Sequence, residues 1–169
     1  QCLVGSEMCI RDSDKSIAEL EMDYLSANGF ECELANDGES GLKKALENDY
    51  SGKIQCIYID PPFNTGQAFE FYDDDLEHSI WLDLIYKRIK ILYGLLKEDG
   101  MFWIHLDDVE VHYCKIMLDE IFNRSNFVSH ITYERSAVAG LGQGGYLVNT
   151  TEHILSVSYT HLTLPTTSR

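Results

Sequence analysis

The stretch Ile54-Gln55-Cys56-Ile57-Tyr58-Ile59-Asp60-Pro61-Pro62-Phe63-Asn64-Thr65-Gly66 decides how this chain is read. Its first six residues are mostly apolar and rich in β-branched and aromatic side chains, as in a strand buried on both faces. Two prolines end that strand at once, because proline has no N–H to give to a sheet ladder. On the carboxyl side, Leu82, Ile85, Ile89, Leu92 and Leu96 recur at helical spacing, with Lys97 in the last turn and Gly100 beyond. Met101–Leu106 is a second apolar run, Val111, Cys114, Leu118 and Ile121 mark another helix, and Phe127–Tyr133 and Thr150–Leu155 predict two more strands. On the amino side, Ser16-Ile17-Ala18-Glu19 is a capping box that opens a helix through Ile17, Leu20, Tyr24 and Leu25 to a stop at Gly29. Phe30–Leu34 alternates like a short strand, and Leu42, Ala45 and Leu46 follow the Asn36-Asp37-Gly38 turn at helical spacing. Alternating strands and helices predict an α/β fold with a mostly parallel sheet and helices on its faces.

In an open α/β sheet, ligands bind outside the carboxyl ends of the strands, which places a candidate site at residues 60–66. These residue types suit one chemical problem. The exocyclic amine of a nucleobase is a poor nucleophile because its lone pair is delocalised into the ring. A carboxylate accepting one N–H and a backbone carbonyl accepting the other favour a pyramidal nitrogen whose lone pair can attack. Prolines stiffen the segment and fix the direction of its carbonyls, and an aromatic ring gives a flipped-out base a surface to stack on. A bare Asp-Pro-Pro is better read as a tight turn, with Asp60 capping and Phe63 in the core. The seven-residue string directly after an apolar strand is more specific.

The string Cys56–Gly66, CIYIDPPFNTG, resembles the catalytic motif of the amino-group DNA methyltransferases, most of all the modification subunit of type III restriction-modification systems. The resemblance runs through WLDLIYKRIKILYGLLKEDGMFWIHLDDVEVHYCKIMLDEIFNRSNFVSHITYERS and covers residues 51–155. It implies an incomplete Rossmann-like methyltransferase sheet. It also implies methyl transfer from S-adenosylmethionine to adenine N6, with cytosine N4 left open. By position, Asp60 and the Pro61 carbonyl would hold the target amine within the Asp60, Pro61, Pro62, Phe63 catalytic set. Phe63 would stack on the base where the family more often has tyrosine. Asn64, Thr65 and Gly66 match the family string, and Tyr133, ending a predicted strand, is expected beside the base. The implied partners are double-stranded DNA, a restriction subunit and a second modification subunit, in a bacterial cytoplasm. In this family's order the glycine-rich cofactor motif follows the target-recognition region. Gly140–Gly145 satisfies G-x-G-x-x-G but opens no helical pattern, so the cofactor-binding residues stay unassigned and the chain as written is expected not to turn over.

Upstream, residues 14–50 resemble the first helix, second strand and second helix of a response-regulator receiver domain. A receiver needs clustered carboxylates for its magnesium. By position that acid pair would fall at Asp12 and Ser13, and Asp60 would come some four residues late. The alternative function is therefore a receiver fragment in phosphotransfer signalling, and the preferred organisation is a chimera joined near Ser51. Residues 2–13 and 157–169 read as in-frame translations of transposon-type sequencing adapters, so 1–13 and 156–169 are expected to be adapter-derived tails and are left out of the fold argument. The natural product is then expected to be longer at both ends.

Composition bounds the rest. The 169 residues carry 13 Lys+Arg against 28 Asp+Glu, a net charge of −15, with 44% hydrophobic and 24% charged residues. These are ordinary globular proportions, with no apolar run long enough to span a membrane. The acidic balance gives no electrostatic footprint for nucleic acid, so composition argues against DNA binding and the motif argues for it. Without the terminal stretches, Cys32, Cys56 and Cys114 remain, with no metal spacing, as free thiols of a reducing compartment. His105, Asp107, Asp108, Glu110 and His112 have a ligand-like look, but acidic helix starts are common and no metal is expected. Lys87, Arg88 and Lys90 are expected to solvate a helix face, and Asp73-Asp74-Asp75 a turn.

Overall fold

The computed structural model describes residues 2–4, 7–11, 15–29, 31–35, 38–47, 50–64, 77–134 and 150–160. In chain order these form β1 (Cys2–Val4), β2 (Glu7–Arg11), α1 (Lys15–Ala27), β3 (Glu31–Ala35), α2 (Gly38–Glu47), β4 (Ile54–Ile59), α3 (His78–Leu95), β5 (Leu96–Leu106), α4 (Val111–Phe122), β6 (Phe127–Glu134) and β7 (Thr151–Ser158). One sheet takes them all in the order β3-β2-β1-β4-β5-β7-β6. That is the usual doubly wound order of strands one to six with β7 inserted between β5 and β6. The β2–β3 and β4–β5 pairs are parallel, and the four pairs made by β1 and β7 are antiparallel. Five strands therefore point one way and β1 and β7 the other, so the mostly parallel expectation holds for direction while the pairing is mixed.

Strand alternation positions the core. In β5 the buried side chains Phe102, Ile104 and Leu106 face α3 and α4, which contribute Trp81, Ile85 and Ile89, and Cys114, Leu118 and Phe122, to the same cluster. Phe102 meets Phe122 with ring centroids 5.4 Å apart. Leu155 and Val157 of β7 and Ile54 and Ile57 of β4 complete the cluster. The half-buried Trp103 and His105 point to the opposite face of the sheet.

Two boundaries differ from the sequence expectation. The helix predicted to carry Lys97 in its last turn ends at Leu95, and β5 starts at Leu96. Leu96 is extended, closes the helix by donating its N–H to the Tyr93 carbonyl, and registers with Ile54. Gly100 sits where a Cβ would come within 2.9 Å of the Ile54 and Lys97 carbonyl oxygens, so this crossing requires glycine. Pairing with β4 thus outweighs the helical pattern. The second difference is at the ends. Residues 2–4 and 7–11, left out of the fold argument as adapter-derived, pair into the sheet, and β7 carries the buried Val157 and Ser158 past the predicted Leu155. Backbone N–H and C=O groups pair at an open edge whatever the origin of the side chains they carry.

Candidate active site at the carboxyl end of β4

β4 delivers Asp60 to the carboxyl edge of the sheet, next to the strand reversal where β4 turns from β5 to β1. The Asp60 side chain is 58% exposed, as a ligand-binding carboxylate must be. Its Oδ1 lies 3.4 Å from Nδ1 of His105, near the end of β5. The other nitrogen of that imidazole, Nε2, lies 2.9 Å from Glu152 Oε2 on β7 and 2.7 Å from the Tyr133 hydroxyl on β6. Tyr133 also donates its hydroxyl to Glu152. Phe63 sets the edge of its ring against His105, centroids 5.0 Å apart and planes at 71°. Four elements thus converge on one imidazole.

The electrostatics follow from that convergence. Tyr133 is held protonated well above the usual phenol range, first by burial, then by its hydrogen bond to Glu152 and the charges of Glu152, Tyr58 and Asp60. Tyr58, on β4 two residues before Asp60, is raised by burial and then by Asp60 and Glu152. A hydroxyl that cannot ionise is a dependable donor to the carboxylate beside it.

The loop after Asp60 is clamped from the other side. The Pro62 carbonyl accepts the Trp81 indole N–H at 2.8 Å, so it is committed to α3. Asn64 adopts φ 60°, a left-handed conformation that asparagine tolerates better than most residues. Its side-chain N–H donates at 2.9 Å to Glu110 Oε1, a carboxylate 1% exposed at the start of α4. His78 Nδ1, at the start of α3, lies 3.0 Å from that Oε1 and 2.9 Å from Oε2, and Oε2 accepts no hydrogen bond. A buried charge with its donors lost would cost several kcal/mol, so this carboxylate holds both partners in place.

Of the sequence-predicted residues, Asp60, Pro61, Pro62, Phe63 and Asn64 form one turn, and Tyr133 is brought to Asp60 through His105. Thr65 and Gly66 lie outside the described residues, as do Asp12, Ser13, Asp73–Asp75 and Gly140–Gly145. The ligand-like cluster is dispersed: His105 faces Asp60, Asp107 caps the Asp108 N–H, Glu110 is buried under Asn64, and Asp108 pairs with His153. Among the described residues no group of three or more His, Cys, Asp or Glu is arranged to hold a metal. Lys87 pairs with Asp83 and Arg88 bonds the Leu84 carbonyl, both on the exposed side of α3.

A family model described as DNA methylase matches residues 54–165. The chain belongs to this DNA methylase family. Among its relatives, the HindVI Mod subunit of a type III restriction-modification enzyme of Haemophilus influenzae is 39% identical over 112 residues, 65% of this chain and 15% of that protein. The StyLTI Mod subunit of Salmonella typhimurium is 30% identical over 148 residues, 70% of this chain and 23% of that protein. The chain thus spans less than a quarter of the length of either relative. The fold is shared with SMU.776, a candidate methyltransferase solved in complex with SAH, at a TM-score of 0.52 and 15% identity, covering 88% of this chain and 38% of the other.

Sequence reading missed the roles of four members of this site. Glu152 and Tyr58 look like ordinary strand residues, and nothing local announces that β7 will lie beside β5. Trp81 carries no local signal and Glu110 stood only in the ligand-like cluster at a helix start, yet both reach back to the Asp60 turn. His105 was legible as polar in an apolar strand, which was the one available signal.

Proposed function

We propose that this chain carries the base-binding turn of a DNA amino-methyltransferase. The substrate would be the exocyclic amine of adenine, with cytosine as the other amine of the same chemistry. The observation that carries the reading is an exposed Asp60 carboxylate at the carboxyl end of β4, followed by two prolines and an aromatic ring. Asp60 and the Pro61 carbonyl would each accept one amine N–H, leaving the nitrogen lone pair free to attack. Phe63, braced edge-on by His105, would stack on the extruded base. Asn64 would hold the turn through Glu110, and Tyr133 would border the base pocket.

S-adenosylmethionine is the methyl donor this reading requires, and it would supply an electrophilic methyl on a positively charged sulfur. Among the described residues, the ion pairs around the turn join the carboxylates of Asp60, Glu152 and Glu110 to the imidazoles of His78 and His105. That acidic surround fits a sulfonium, and Asp60 and Phe63 are the residues that would face it. Neither Lys nor Arg joins this group among the described contacts, so phosphate contacts to double-stranded DNA would come from elsewhere in a longer assembly, with a restriction subunit and a second modification subunit as partners. No described helix is long and apolar enough to cross a membrane, and a bacterial cytoplasmic location goes with this function. The domain reading is a methyltransferase segment over 51–155 joined near Ser51 to the receiver-like 14–50; sequencing the genomic locus across codon 51 tests it.

The test of function is nucleoside binding followed by NMR. Deoxyadenosine is expected to bind about tenfold more tightly than purine deoxyriboside, which lacks the amine, because the amine hydrogen-bonds an ionised group. Shifts should concentrate at residues 58–64, and Asp60→Ala should erase the preference. Equal binding of the two nucleosides, or a preference that survives Asp60→Ala, overturns the proposal.

A further inference from the structure

The Asp60 carboxylate sits on one side of an imidazole whose other side is fixed. Carboxylates accept and do not donate, so Asp60 and Glu152 both need donors. His105 lies between them, with Nδ1 3.4 Å from Asp60 and Nε2 2.9 Å from Glu152. Its side chain is 13% exposed, and the Glu152 side chain 11%, so the ring is not a freely rotating surface group. Tyr133 closes the far side by contacting both Nε2 and Glu152, and Phe63 lies against the ring edge. Three strands, β5, β6 and β7, therefore set the plane of this imidazole, and β4 presents Asp60 to it.

We propose that His105 is a positioning residue: held by Glu152 and Tyr133, it presents Nδ1 to Asp60 and fixes the orientation in which that carboxylate meets the substrate amine. Positioning through Nδ1 requires a proton on that nitrogen, because a lone pair there would face a carboxylate that can only accept. Burial of Tyr58, then the charges of Asp60 and Glu152, raise its pKa and so hold it protonated, consistent with both acids acting on this small volume. The same ring braces Phe63, so one side chain would set both the acid and the stacking surface.

This inference rests on the amino-methyltransferase reading, and amide variants separate the two nitrogens. In His105→Asn the amide reaches about as far as Nδ1 and keeps a donor beside Asp60. In His105→Gln it reaches about as far as Nε2 and keeps only the Glu152 and Tyr133 contacts. The expected result is that the amine preference, deoxyadenosine against purine deoxyriboside, falls about tenfold in His105→Gln and is largely kept in His105→Asn. In the unliganded full chain, the Nδ1 nitrogen resonance of His105 should move in Asp60→Asn, a readout independent of any ligand and of turnover. A preference unchanged in His105→Gln, or equally lost in both amide variants while wild type retains it, overturns the positioning role and leaves the function standing. Absence of any amine preference in wild type overturns both.

Discussion

The sheet has two halves held in different ways. From Tyr50 onward, β4, β5 and β7 are backed by α3 and α4, and the fully buried Trp81, Ile89, Phe102, Ile104, Leu118 and Phe122 lie in one cluster. Ahead of Tyr50, Ala35 is the one buried hydrophobe among the described side chains, while Leu20 and Tyr24 of α1 are 71% and 70% exposed. β1, β2 and β3 join the sheet through backbone ladders. Hydrogen bonds contribute modestly on balance because water competes for the same groups, whereas apolar burial drives folding. Among the described side chains, the half that holds the candidate site also holds the buried cluster, and a carboxylate that must be aimed needs a rigid base.

The sharpest way to break that contrast is to remove matched side chains from each half. Trp81→Ala should cost ~3–5 kcal/mol, since it empties a buried indole site, and should also release the Pro62 carbonyl; urea unfolding measures the first and amide shifts at residues 60–64 the second. Asn64→Ala should cost roughly 3 kcal/mol, from a lost bond to a buried carboxylate and a left-handed backbone that alanine resists. Gly100→Ala should cost about 1–3 kcal/mol by driving a methyl against two carbonyl oxygens at the β4–β5 crossing. Leu20→Ala, in the first half, should stay within about 0.5 kcal/mol. A Leu20→Ala loss as large as that of Trp81→Ala would show a core in the first half and abolish the contrast.

A thiol sharpens the same comparison. Burial, with a smaller push from Glu110, raises Cys114 to about 12. Its folded pKa lies above its unfolded one, so the stability it contributes is complete below about pH 9 and is lost as pH rises toward about 12. Urea midpoints measured between pH 8 and 11 should fall, and Cys114→Ser should flatten that fall.

Much of the fold was legible. Strand β4, helices α3 and α4, and the helix–strand–helix of residues 15–47 lie close to where periodicity places them, because an apolar face repeats at a period set by local geometry. The helix end at Leu95 was not, because Lys97 and Gly100 make an equally good helix stop until Leu96 finds Ile54. The candidate site divides along the same line. The Asp60 turn is contiguous, whereas the group around it draws Tyr58, His105, Tyr133 and Glu152 from four strands.

What the sequence determined alone was a strand that must stop at Asp60-Pro61-Pro62, an aromatic side chain three residues past the acid, and amphipathic helices able to cover one face of a sheet. These are local consequences of ring closure, side-chain shape and periodicity. Tertiary structure alone decided that β7 enters between β5 and β6. That insertion carries Glu152 and Tyr133 to His105 and lays a polar group behind Asp60. Strand order is a property of long-range pairing, in which every backbone offers the same donors and acceptors and only the packing of whole faces chooses the neighbour.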